Sequence, residues 1–178
     1  MPHILMIATG GTIACCETAH GLSPALDCAA LLGALPELSA LCTVETLDLM
    51  QLDSTDVTAA DRQRMAQAVW QNREKFDGFV LTHGTDTLEE TAYLLDLVHN
   101  SEKPVCLTGA MRSAAEISPD GPVNLLCAVR TAASSEARGK GVLVVMNEEI
   151  HAAREVVKSH SANTETFVSP FWGPLGYV

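Results

Sequence analysis

Four short apolar runs, spaced along the chain and separated by helical patterns, limit its possible folds more than any other feature. His3-Ile-Leu-Met-Ile-Ala-Thr9 ends at Gly10-Gly11, and comparable runs recur at Gly78–His83, Pro104–Gly109 and Gly141–Met146, with a weaker, more amphipathic one at Thr43–Asp48. Runs this short and continuously apolar suit strands buried on both faces of a parallel sheet. Thr58-Ala-Ala-Asp61 has capping-box spacing and opens a helix toward Lys75, and Asp86-Thr-Leu-Glu89 predicts the start of the next one. That second helix carries Leu88, Ala92, Leu95 and His99 along one stripe with a polar end. Asp120 and Pro122 start a third helix that runs through Val129-Arg130 and is ended by Gly139, and Ala25–Leu35 is a fourth, shorter one. Strand alternating with helix predicts an α/β fold: a three-layer α/β/α arrangement around a mostly parallel, doubly wound sheet, flavodoxin-like or Rossmann-like. Function in such a sheet belongs at the strands' carboxyl ends. After Glu149 the rhythm is lost, and Glu165–Val168 and Phe171–Tyr177 read as extended pieces and turns.

The length of 178 residues, with 47% hydrophobic and 19% charged residues, suits one domain with a real core and leaves no room for a second. The formal charge is −11, and no Lys or Arg precedes Arg62 although eight acidic residues do. Nucleic acid and anionic membranes are therefore disfavoured partners, because both draw affinity from clustered basic side chains. No apolar run approaches the roughly 18 residues a membrane span needs, and no basic segment precedes Ile4–Ile7, so the chain reads as cytoplasmic. Six cysteines (Cys15, Cys16, Cys28, Cys42, Cys106, Cys127) match no zinc spacing and read as reduced thiols. Cys106 and Cys127 sit in apolar segments as small hydrophobes, and Cys15-Cys16 reads as a pair of loop thiols.

Three segments at strand ends carry unusual chemistry. In Thr9-Gly10-Gly11-Thr12 the paired glycines let backbone approach a ligand and expose N–H groups. Thr12 is then a threonine nucleophile beside an oxyanion site, or the segment cradles a phosphate, or it is a tight turn with Thr12 as a local cap. The phosphate reading lacks the third glycine of the dinucleotide fingerprint and the Gly-Lys of a P-loop. Thr82-His83-Gly84-Thr85-Asp86-Thr87 groups polar side chains around one glycine. Asp86 as a helix N-cap explains one of them, and His83 as a hydrogen-bonding brace of the turn explains another. Lys158 is either a solvated surface charge or, turned inward, a partner for Asp86 or a lysine desolvated toward general-base behaviour.

Taken together and in order, Thr9–Ala14, Thr82–Thr87, Gly109-Ala110-Met111-Arg112, Asp120-Gly121-Pro122 with Asn124-Leu125, and Gly173-Pro174-Leu175-Gly176 closely resemble the amino-terminal domain of bacterial-type L-asparaginases, over about residues 3 to 177. The resemblance implies that residues 1–178 form that catalytic domain without the usual carboxyl-terminal one. It also implies hydrolysis of L-asparagine to L-aspartate and ammonia with no metal or other cofactor, in a homo-oligomer that is a dimer or tetramer. Thr12 matches the threonine nucleophile; Thr85, Asp86 and Lys158 match a second threonine with its acid and lysine. Ser54 matches a serine that contacts the substrate α-carboxylate, Gly11 and Ala110 match backbone positions lining the pocket, and Thr55 stands where some members carry an amide side chain.

An amide is a poor electrophile, so this set of residues suits the reaction: a hydroxyl nucleophile, a proton carrier and preorganised donors for the oxyanion. An acid and hydroxyls likewise complement an α-ammonium and an α-carboxylate. Two departures stand out. The loop position where the family places an activating tyrosine reads Gly21-Leu22-Ser23-Pro24, and the only tyrosines are Tyr93 and Tyr177. The acidic residue that the family's second domain lends to a neighbouring site also has no counterpart here. The alternative expectation is an amino-acid-binding module of the same fold with weak or no catalysis.

Overall fold

The computed structural model describes residues 1–19 and 21–178, with the side chains of Thr18 and Leu22 outside the description. The departure noted at Leu22 therefore falls on a side chain that is not described. Among the described residues, eleven strands and four α-helices follow one another. The strands are β1 (His3–Gly10), β2 (Cys15–Thr18), β3 (Gly21–Pro24), β4 (Thr43–Leu52), β5 (Gly78–Thr82), β6 (Val105–Thr108), β7 (Val142–Met146), β8 (Glu149–Ala152), β9 (Val157–Lys158), β10 (Phe167–Val168) and β11 (Gly176–Tyr177). The helices are α1 (Cys28–Gly33), α2 (Ala59–Asn72), α3 (Leu88–Val98) and α4 (Gly121–Ala133).

The central sheet has seven strands in the order β11-β8-β7-β6-β5-β1-β4. Its β4-β1-β5-β6-β7 portion is parallel, while β8 and β11 add antiparallel at one edge. Side chains alternate across a strand, and here the alternation divides the core in two. Ile4, Met6 and Ala8 of β1 pack with Val80, Cys106 and residues of α1 and α4, whereas Leu5 and Ile7 pack with Phe79, Leu81, Leu107 and residues of α2 and α3. With apolar helices on both faces, every position of β5, β6 and β7 is buried, which is why those runs are continuous rather than alternating. The mostly parallel, doubly wound α/β sheet expected from the sequence is the architecture found.

Local details differ from the sequence reading. The capping box at Thr58 and Asp61 forms, with both reciprocal hydrogen bonds. Asp86, however, does not cap: α3 starts at Leu88 behind a 3-10 turn at Thr85–Thr87, and its cap residue Thr87 makes no side-chain cap bond. Asp120 stands at the cap position of α4 without capping it, because its carboxylate accepts from the Met111 and Arg112 N–H groups instead. That helix ends at Ala133 rather than near Gly139, and α1 is shortened to six residues, with Asp27 accepting from Ala30 N–H. The weak strand at Thr43 is the longest of all, ten residues to Leu52, because β1 pairs with it along nearly its whole length. Cys15 and Cys16 lie in a β2–β3 hairpin and not in a loop.

Candidate active site

The first two strands of the sheet are neighbours, and the later ones are added on the far side of β1, so the winding reverses between β1 and β5. A crevice opens outside the strand ends at such a reversal. The segments after β1, β4, β5 and β6 meet there, and glycines set how closely they meet. A Cβ on Gly10 would lie 2.3 Å from the Leu52 carbonyl oxygen, one on Gly11 2.3 Å from Gly84 N, one on Gly84 2.7 Å from Ser54 Cβ, and one on Gly109 2.5 Å from the His83 carbonyl oxygen. The paired glycines after β1 thus let the backbone approach the protein's own neighbouring loops. Gly10 and Gly11 have φ of 107° and 79°, which L side chains rarely adopt.

Thr12 follows immediately, half-buried, in a 3-10 turn. Its hydroxyl neither caps that turn nor bonds any other described residue, so the local-cap reading of Thr12 does not hold. Ser54 is almost fully buried beneath Gly84; its Oγ accepts from Asp86 N–H at 3.2 Å, and its carbonyl accepts from the Thr87 hydroxyl at 2.8 Å. Thr55 is directed elsewhere: it is exposed, and both its N–H and its hydroxyl donate to Asp53 Oδ1.

The cluster at the centre is Lys158 with Thr85 and Asp86. Lys158 Nζ donates to Thr85 Oγ1 at 2.9 Å and to Asp86 Oδ1 at 2.6 Å, across 73 and 72 positions of sequence. The lysine side chain is 12% exposed and the aspartate 60%, so Lys158 is turned inward and is not a solvated surface charge. An ion pair with one wet partner contributes little to stability; what it does here is aim the ammonium at the Thr85 hydroxyl.

His83 braces this turn as the sequence suggested. It is fully buried, its Nδ1–H donates to the Gly84 carbonyl at 2.7 Å, and its Nε2 accepts from the Thr91 hydroxyl at 3.0 Å. Arg62 Nε donates to the same Thr91 oxygen. A carbonyl can only accept, so this geometry sets the neutral tautomer, and burial pushes the His83 pKa below its ordinary value despite the Gly84 bond.

On the other wall, Ala110 is completely buried, and Asn124 holds the loop it belongs to: Nδ2 donates to the Gly109 carbonyl and to Asp120, while Oδ1 accepts from Asn147 N–H. Sequence reasoning placed Asp120 and Asn124 at a helix start and missed this bracing role, as it missed Thr91 and Arg62. The only available signal was a buried amide on an apolar helix face, which must find partners.

Among the described residues no group of three or more His, Cys, Asp or Glu is placed to hold a metal ion, and no helix is long and apolar enough to cross a membrane. All six cysteines are free. Burial raises the thiol pKa of Cys15, Cys42, Cys106 and Cys127, and burial together with Asp48 pushes Cys28 up to about 12, so these thiols are poor nucleophiles.

This arrangement has close parallels. The chain matches the family model "Asparaginase, N-terminal" over residues 3–178. It is 43% identical to a probable periplasmic L-asparaginase of Haemophilus influenzae, over all of this chain and 52% of that protein. It is 42% identical to a glutaminase-asparaginase of Pseudomonas fluorescens, over all of this chain and 51% of that one. The crystal structure of a probable cytoplasmic L-asparaginase from Campylobacter jejuni superposes with a TM-score of 0.93 at 42% identity, covering all of this chain and 55% of that one. The chain spans about half the length of the curated relatives it matches. With the family model matched from end to end and the site motifs converging at one crevice, the chain belongs to the asparaginase family.

Proposed function

We propose that this chain is the catalytic domain of an L-asparaginase that hydrolyses the side-chain amide of L-asparagine through a Thr12 nucleophile. The observation that carries the reading is the convergence of Lys158, Thr85 and Asp86, distant in sequence, beside the Gly11–Thr12 turn at the winding reversal. The names of the relatives in H. influenzae and P. fluorescens support the substrate class. Thr12 Oγ1 attacks the amide carbon, the C–N bond breaks, and the hydroxyl proton leaves on the nitrogen as ammonia. Water then adds to the resulting ester. Thr85 Oγ1 takes a proton from that water while the hydrogen-bonded pair of Thr85 and the Lys158 ammonium passes one to Thr12 Oγ1, the ester C–O bond breaks and L-aspartate is released.

Recognition follows from which groups are already engaged. Ser54 Oγ accepts from Asp86 N–H and keeps its own proton to donate to an α-carboxylate. Asp86 gives Oδ1 to Lys158 and leaves Oδ2 for an α-ammonium. Gly11 and Ala110 supply backbone walls. Thr55, bound to Asp53, acts by closing the turn that carries Ser54. No metal or organic cofactor enters this scheme. The free thiols favour a reducing, cytoplasmic setting, and the highly exposed Phe171 and Trp172 favour assembly into a homo-oligomer, which sedimentation would read.

The test is ammonia release from L-asparagine by the native chain, Thr12→Ala and Thr85→Ala, with L-aspartate binding measured alongside by calorimetry. Each substitution is expected to cut turnover at least about a hundredfold while binding persists. Equal rates in all three chains refute the assignment, and binding without any turnover turns it into an amino-acid-binding module.

A further inference from the structure

Lys158 lies on β9, a strand of two residues that pairs only with β10, outside the seven-stranded sheet. A hairpin this small does not hold its own position. Its apolar anchors are Val156 and Phe167, buried in the cluster on the α2 and α3 face. Apolar packing is non-directional, so it sets the depth of the hairpin more than its rotation. A directional tie comes from Glu89 in the first turn of α3: its half-buried carboxylate, through Oε2, accepts a hydrogen bond from the Lys158 backbone N–H. The same five residues of chain also supply both partners of the Lys158 ammonium, Thr85 Oγ1 at 2.9 Å and Asp86 Oδ1 at 2.6 Å. Residues 85–89 therefore hold the lysine at its main chain and at its tip.

We propose that Glu89 is a positioning residue for the active site, clamping the Lys158 main chain so that Nζ reaches Thr85 and Asp86. The proposal builds on the reading of Lys158 as a proton carrier. Glu89 does not touch the substrate; it acts through Lys158. Two contributions of Glu89 are separable by chemistry. A glutamate in a first helical turn also favours the helix through its charge, and glutamine removes that charge while keeping an oxygen that accepts the Lys158 N–H. Aspartate keeps the charge but falls one methylene short of the bond.

The experiment compares Glu89→Ala, Glu89→Gln and Glu89→Asp in the full chain by two readouts. The first is trace acetylation of Lys158 quantified by mass spectrometry, with the exposed Lys75 and Lys140 as internal references. The second is ammonia release. Glu89→Ala and Glu89→Asp are expected to raise Lys158 labelling several-fold and to lower kcat by about tenfold or more with KM within about threefold, while Glu89→Gln stays near native in both. Unchanged Lys158 labelling in folded Glu89→Ala or Glu89→Asp overturns the proposal, as does a Gln variant altered as much as these. If the native chain releases no ammonia, the activity reading fails on its own and labelling still decides the role of Glu89.

Discussion

Substituting Gly11 by alanine tests the claim that glycines set the spacing of the site loops. The Cβ added there would meet Gly84 N at 2.3 Å, Gly84 Cα at 2.4 Å and the His83 carbonyl carbon at 2.6 Å, all backbone atoms that cannot rotate away. Contacts tighter than 3.4 Å are already rare, so the loops after β1 and β5 must part by about an ångström. Gly11 also has φ 79° and ψ 177°, a region open essentially to glycine alone. The backbone strain costs about 1–3 kcal/mol and the overpacking a similar ~1–3 kcal/mol. Together they come to about 2–6 kcal/mol, which lowers the melting temperature of a domain this size by roughly 4–24 °C.

The site is expected to suffer more than the fold, because a displacement of about 1 Å in a catalytic constellation costs on the order of a hundredfold in rate. Gly139 separates the two contributions: its φ is +70° but a Cβ there meets nothing within 4 Å, so Gly139→Ala carries the conformational cost alone and leaves activity untouched. Gly33, without a positive φ and with open space around it, should gain about 0.5–1 kcal/mol on the same change. Urea unfolding, thermal melts and L-aspartate calorimetry on the three variants make the comparison. If Gly11→Ala melts with Gly139→Ala and binds L-aspartate as the native chain does, the loop-spacing argument is wrong.

Burial holds the His151 imidazole at a pKa of about 4 against an ordinary 6.5. The unfolded chain takes up that proton first on acidification, so stability present above pH 6.5 drains away as pH falls toward 4, by up to about 3 kcal/mol, with His83 adding in the same direction. Urea melts at pH 7 and pH 4.5 should show this loss, and His151→Leu should flatten it; an equal slope in both proteins contradicts the assignment. Asn124→Leu strands the Gly109 carbonyl and the Asn147 N–H and is expected to cost about 2–4 kcal/mol in denaturation and to weaken L-aspartate binding through the displaced Ala110 wall. Ser54→Ala removes one accepted hydrogen bond, so unfolding should shift by only about 1 kcal/mol, whereas loss of a donor to the α-carboxylate should weaken L-aspartate by about tenfold or more in calorimetry.

The parallel sheet was legible because its cause is local. Residues 4–8 and 79–81 are apolar at every position, and only a strand covered on both faces tolerates that. The Thr58 cap was legible for the same reason, since both its partners lie within one turn. The β2–β3 hairpin was not, because Cys15–Thr18 and Gly21–Pro24 carry no strong alternation and pair mainly with each other. Asp86 illustrates the opposite error. A local rule made it a cap, and a lysine 72 residues away claimed its carboxylate instead.

What the sequence alone determined was the parallel strands and the helices between them, the two threonine motifs and the types of group available for amide chemistry. Those are short-range properties, written in periodicity and in neighbouring residues. The tertiary structure alone decided which groups share a site. Lys158 faces inward because a two-residue strand is anchored by Val156, Phe167 and Glu89 against α3. Thr55 turns away because Asp53 accepts both its donors, and Gly11 meets Gly84 because β1 and β5 are neighbours in the sheet. Contacts across seventy or more residues depend on how layers pack, and packing is a property of the whole core that no window of sequence contains.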